Sequence, residues 1–285
     1  MPSAPWQGVP WGHMLPRFTT LGRGPVLLML HDVDASHLAF APQVESFATQ
    51  GYQAVAWDMP GYGHSPPIEP YDFKGLAARC VALIEALTQR PDGSHASVIL
   101  LGQGMGGMVA QEVVLRRPEL VNRLILSGTL AAFGDVPAAQ RDAYVNDRTT
   151  PLDAGVSMRE LAQRLVPRQV GPGSLPEGAQ LAEHALGGVF PSTYRRALEA
   201  QLRFNRRAAL AQVLVPTLLL AGEFDAIATP ERVRAMALDL PLAHCTVLPG
   251  VGRWPNLEAP EDFDGDVLSF LADTAPGMRR PGALH

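Results

Sequence analysis

Residues 97–111 read SVILLGQGMGGMVAQ, and this stretch constrains the fold more than any other in the chain. SVILLG is a short, uninterrupted apolar run, the pattern of a strand buried on both faces of a parallel sheet. The glycines after it make a tight turn. MGGMVAQEVVLRRP, from 105, reads as a helix closed by Pro118. A strand that passes through a sharp turn directly into a helix is part of the βαβ unit from which open α/β sheets are built. The residue at the apex of the turn is Gly104.

The rest of the chain repeats the rhythm. Apolar runs at 25–32, 52–61, 121–129, 215–225 and 244–250 read as further strands. Helical patterns fall between and after them, at 41–51, 73–90, 230–240 and 259–274. In the second of these, Leu76, Cys80, Leu83 and Leu87 recur at helical spacing. The alternation predicts an α/β fold with a mostly parallel central sheet and helices on both faces. It breaks between 133 and 210, where short amphipathic segments separated by Gly and Pro replace the strands. The expected organisation is a core over 1–132, a helical cap insertion over 133–210, a second core part over 211–274 and a flexible tail over 275–285.

Composition narrows the class. Hydrophobic residues are 47% and charged ones 18%, which fits a large packed core and not a disordered chain. The net charge of −5 comes without a basic or acidic run, so nucleic acid is not an expected partner. Cys80 and Cys245 read as free thiols. The first residues have neither a basic start nor an apolar run, so no leader is expected. No apolar stretch reaches about 18 residues, so no membrane span is expected, and a cytoplasmic location is the default.

Five segments, in order, resemble the α/β-hydrolase fold family over nearly the whole chain. They are LLMLHD at 27–32, WDMPGYGHSPP at 57–67, LGQGMGG at 101–107, AGEFDAIATPE at 221–231 and PGVGRWPNLEAPEDF at 249–263. The family writes His-Gly at the end of the first, Gly-x-Ser-x-Gly in the third, an acid in the fourth and a histidine in the fifth. The resemblance places the acid at Asp225, the nucleophile at Gly104 and the histidine at Arg253. Asp32 stands where the family has glycine, and Gln103 precedes the nucleophile position. Acyl-enzyme hydrolysis needs a hydroxyl that attacks and an imidazole that takes its proton, and neither side chain is present at these positions.

The resemblance also implies what could remain. The oxyanion hole would be the backbone N–H groups of Met105 and Val33, in a pocket enlarged by the missing side chain at Gly104. Asp32 and Asp34 have two readings: a solvated turn or helix cap, or carboxylates that bind a cationic group or relay a proton. Asp32, Asp34 and His37 are the candidate bases. Arg253 can bridge to Asp225, a structural remnant of the triad, or clamp a substrate carboxylate. Gln103, Gly104, Tyr144, Tyr194, Arg253 and Trp254 are candidate substrate contacts. No histidine pair has metal-ligand spacing, and neither a metal nor a cofactor is expected.

These readings favour an enzyme that is not a hydrolase: an epimerase or other isomerase, a lyase or a cyclase working through an enolate. Its substrate would be a small natural product or a peptide. In the kind of loss, the chain is similar to triad-lacking members of the fold such as the bottromycin-type peptide epimerase. A non-catalytic small-molecule or peptide binder is the alternative, and a hydrolase with a displaced nucleophile is third. The oligomeric state is left open.

Overall fold

The computed structural model describes residues 15–275. The expected tail over 275–285 lies outside them except for Ala275, as does the N-terminal stretch read for a leader. Seven strands form one sheet: β1 Phe18–Leu21, β2 Val26–Leu30, β3 Gln53–Trp57, β4 Val98–Gln103, β5 Val121–Ser127, β6 Thr217–Gly222 and β7 Ala243–Leu248. Their spatial order is β1-β3-β2-β4-β5-β6-β7. All neighbours are parallel except β1, which runs antiparallel to β3 with Phe18 opposite Trp57.

Side chains of successive strand residues point to opposite faces, and the core divides accordingly. Val26, Leu28 and Leu30 of β2 and Leu100 of β4 pack on one face. Leu27, Met29, Ile99 and Leu101 pack on the other. The first face is covered by α2 (Phe73–Thr88), α3 (Met105–Arg116) and, farther along the chain, α8 (Pro230–Leu238). The second is covered by α1 (Ala41–Thr49) and α10 (Pro260–Asp273), through Val44, Phe47, Phe263 and Val267. A central residue such as Leu100 is fully buried, so truncation to alanine there costs about 2–5 kcal/mol.

Between β5 and β6 the chain runs through four helices: α4 Ala138–Asp153, α5 Met158–Leu165, α6 Pro176–Gly187 and α7 Pro191–Leu202. Local chemistry sets their starts. Ser157 and Glu160 form a reciprocal capping box on α5, and proline opens α6 and α7, where a missing N–H costs nothing. The short α9 (Pro255–Glu258) follows β7 and holds the loop before it. Glu258 is buried and accepts from the backbone N–H groups of Gly171 (2.8 Å), Gly252 (2.6 Å) and Trp254 (2.8 Å).

Candidate functional site

The turn from β4 into α3 has the sharp geometry expected of it. Gly104 has φ 51° and ψ −116°, a conformation that glycine adopts at far less cost than other residues. Gly106 lets α3 start against β2, since a Cβ there would stand 2.1 Å from the Leu30 carbonyl oxygen. The turn therefore survives, but it encloses no free volume. A Cβ at Gly104 would lie 2.1 Å from Cγ and 2.1 Å from Oδ1 of Asp32. The expectation that a missing side chain enlarges the pocket is corrected: the Asp32 carboxylate fills that space.

Asp32 is held from three sides. Its Oδ1 accepts the Met105 N–H at 2.7 Å, at the positive end of α3. Its Oδ2 accepts from Arg253 Nη2 at 2.5 Å. Its backbone carbonyl is bonded to His31 Nδ1 at 2.7 Å, while His31 Nε2 accepts the Met59 N–H at 2.9 Å. Both ring nitrogens of His31 are thus spent on loop geometry, and burial pushes its pKa down despite the nearby Asp58.

Arg253 joins three loops. Besides Asp32, its Nη1 reaches Asp225 Oδ2 at 3.3 Å and donates to the Gly128 carbonyl at 3.0 Å. Asp225 is positioned by the N–H groups of Ile227 (2.7 Å) and Ala228 (3.0 Å) on its other oxygen. The anticipated Asp225–Arg253 bridge is present, but it is the longer of two contacts. Although burial disfavours its charge, the two carboxylates hold Arg253 above the usual guanidinium range. Gln103 Nε2 donates to the Arg253 carbonyl at 3.1 Å, while Gln103 Oε1 and Arg253 Nε are buried without a partner among the described residues.

A second ion pair lies beside the first. Arg148 of α4 donates to Asp34 Oδ2 at 2.6 Å, and Tyr194 of α7 donates its hydroxyl to Asp34 Oδ1 at 2.5 Å. The guanidinium rests 3.6 Å from the centre of the Tyr144 ring. Burial raises the Asp34 carboxyl, but Arg148 and Tyr194 outweigh it and bring the pKa below the ordinary value. Sequence reasoning passed over Arg148. Its signal was a charge four residues beyond Tyr144, on the same face of a helix.

The two pairs occupy the place where an open cavity was expected. Asp32, Asp34 and Tyr194 are 0% exposed, and Arg148, Asp225 and Arg253 no more than 4%. Tyr144 and Trp254 are likewise buried. In the two candidate bases Asp32 and Asp34, both oxygens of each are engaged. As an oxyanion donor, the Met105 N–H is engaged too. Val33, between the two aspartates, accepts the Tyr62 hydroxyl on its carbonyl at 3.0 Å.

His37 stands apart from this chamber. It pairs with Asp58 and opens onto a cleft of about 440 Å³ between the loops after β2 and β3 and the helices α5 and α6. Tyr62 lines the cleft and reaches with its hydroxyl toward Val33, which places it between cleft and chamber. The arginines between residues 194 and 207 are partnered: Arg195 with Asp153, Arg196 with Glu69, Arg203 with Glu199, Arg206 with Glu112 and Arg207 with Asp135.

Residues 27–265 match the alpha/beta hydrolase family. Among curated relatives, the chain is 26% identical to polyketide synthase ThaQ of Burkholderia thailandensis over 93% of its own length, but it spans only 12% of that synthase. It is 27% identical to the pimeloyl-[acyl-carrier protein] methyl ester esterase of Nitrosospira multiformis, covering 88% of this chain and 96% of the esterase. It is 25% identical to 3-oxoadipate enol-lactonase 2 of Acinetobacter baylyi, covering 89% of this chain and 92% of that protein. A thermophilic esterase from Thermogutta terrifontis has the same fold, with a TM-score of 0.78 over 90% of this chain and 93% of the esterase at 23% identity. These relatives correct the expectation of an isomerase or lyase, because an esterase and an enol-lactonase are hydrolases. Among the described residues, no helix is long and apolar enough to cross a membrane.

Proposed function

Since this chain belongs to the alpha/beta hydrolase family, we propose that it is a non-cleaving member, which binds a small acyl-containing molecule without forming an acyl-enzyme. One observation carries the reading: the Asp32 carboxylate sits in the volume of the nucleophile's side chain, on the N–H of Met105, and is neutralised by Arg253. The three departures at 32, 104 and 253 are one mutually compensating set. Glycine at 104 makes room for the carboxylate. Arginine at 253 supplies the counter-charge that a buried carboxylate requires.

The chemistry supports the same reading. Gly104 offers no hydroxyl, and an always-protonated guanidinium is a poor general base. A developing oxyanion would have to displace a carboxylate from the Met105 N–H. The acyl part of the proposal rests on the names of the relatives, an acyl-carrier-protein methyl ester esterase and a polyketide synthase. The space for a ligand is the cleft beside His37, whose volume of about 440 Å³ lies in the range of small-molecule sites.

Hydrolysis of 4-nitrophenyl butyrate tests the proposal. The wild-type chain should stay at the buffer rate. The triple variant D32G/G104S/R253H, which rebuilds the family's set, should gain activity on the order of a hundredfold. Wild-type turnover that Asp32→Asn or Arg253→Met abolishes would overturn the reading.

A further inference from the structure

The cleft beside the ion-pair chamber has a charge arrangement of its own. Asp58 is 3% exposed, and its Oδ1 faces both the His37 backbone N–H (3.1 Å) and His37 Nδ1 (2.9 Å). With Nδ1 committed to Asp58, the ring presents Nε2, which has no hydrogen-bond partner among the described residues. The Asp58 carboxylate lies against the imidazole and also lines the cleft, with Oδ1 bonded to His37.

We infer that the cleft binds a small molecule ending in a carboxylate, which is held by His37 Nε2 and the Arg159 guanidinium. The inference rests on the reading of the chain as a binding protein and names the ligand class of that site.

Charge and donor chemistry carry it. The cleft is faced by Arg159 from α5, by His184 and Glu183 from α6, and by His37 and His64 from the loops after β2 and β3. Four of these side chains carry or can carry positive charge. Against them stand Glu183 and Asp58, the latter paired with His37. Arg159 makes no ion pair among the described residues, unlike the arginines of α7, so its charge is available. A carboxylate has acceptors only, and the wall offers donors: imidazole, guanidinium and the amides of Gln163 and Gln180. Leu38 gives the rest of the molecule an apolar contact, with the buried Tyr62 and Val189 behind the wall. The hydrogen bond to Asp58 outweighs burial and raises the His37 pKa above its ordinary value, so the ring keeps its proton, and its second donor, to higher pH.

Calorimetric titration of the full chain with octanoate, and with octanamide as the neutral counterpart, tests this at about pH 6 and about pH 8. Octanoate should bind about tenfold more tightly than octanamide at the lower pH. The preference should shrink at the higher pH and should be lost in His37→Gln and in Arg159→Gln. Asp58→Asn, which removes the group that raises the His37 pKa, should move the pH midpoint downward. Equal binding of both probes at both pH values overturns the carboxylate inference and leaves the binding reading standing. Failure of both probes to bind overturns both. The imidazole NMR signals of His37 in the unmutated chain give a readout that needs no variant. At about pH 6 they should shift at a lower concentration of octanoate than of octanamide, and signals unchanged by octanoate overturn the inference.

Discussion

The chamber at the end of β4 and the cleft beside it are neighbours with opposite electrostatic designs. In the chamber, Asp32, Asp34, Arg148, Arg253 and Asp225 are all but inaccessible, and each charge meets an opposite charge inside the protein. In the cleft, His37 is 31% exposed and Arg159 is free of ion pairs among the described residues. Buried paired charges fix loops against one another but have nothing left for a ligand. Half-exposed charges with one side occupied still have donors to offer. On the non-cleaving reading proposed above, the family's usual place of reaction serves as a structural joint.

The largest effect should come from breaking that joint. Arg253→Met leaves Asp32 and Asp225 buried without their shared counter-charge and should cost about 3–5 kcal/mol in urea unfolding. A cost below about 1 kcal/mol would mean that the chamber is solvated, and the contrast with the cleft would fade.

Gly104→Ser should cost about 1–3 kcal/mol, because its Cβ would meet the Asp32 carboxylate at 2.1 Å. The cost should fall when Asp32→Gly is added, with a favourable coupling of about 0.5–3 kcal/mol in a double-mutant cycle. Strict additivity would show that the two positions do not compete for one volume.

The smallest effect belongs to the cleft. The His37 pKa is raised above its ordinary 6.5, so its contribution to stability is complete below that value and is lost as pH rises through the folded-state value. Although burial pushes Asp58 upward, the bonds from His37 bring it below 3.8, so its contribution is present above 3.8 and is lost as pH falls through the folded-state value. The pair stabilises fully only between those limits. His37→Gln should cost less than about 1 kcal/mol there, and the difference from wild type should shrink at alkaline pH. A difference that grows with pH would contradict the assignment.

The fold was legible because strands β2 to β6 are largely buried on both faces and read as mostly apolar runs. β1 was not, since FTTL is exposed throughout and lies at the sheet edge, where no apolar pattern marks it. In the site, the Asp225–Arg253 contact followed from two matched loops. The closer partner, Asp32, comes from a third loop 221 residues away, and nothing local in the sequence joins them. Arg148 was hidden for a related reason: helical periodicity shows which residues share a face of α4, not which loop that face meets. Each of the three departures from the family's pattern was visible singly. Their common meaning depends on which groups share a volume, and that is a property of the packed chain.

The shared volume at positions 32 and 104 also imposes an order on change. A serine introduced first collides with the carboxylate. A glycine introduced first at 32 strands most of the Arg253 charge, with Asp225 at 3.3 Å as its remaining acidic partner. Either single step passes through a weakened intermediate, so the three residues behave as a ratchet: stable once assembled, and resistant to change one residue at a time.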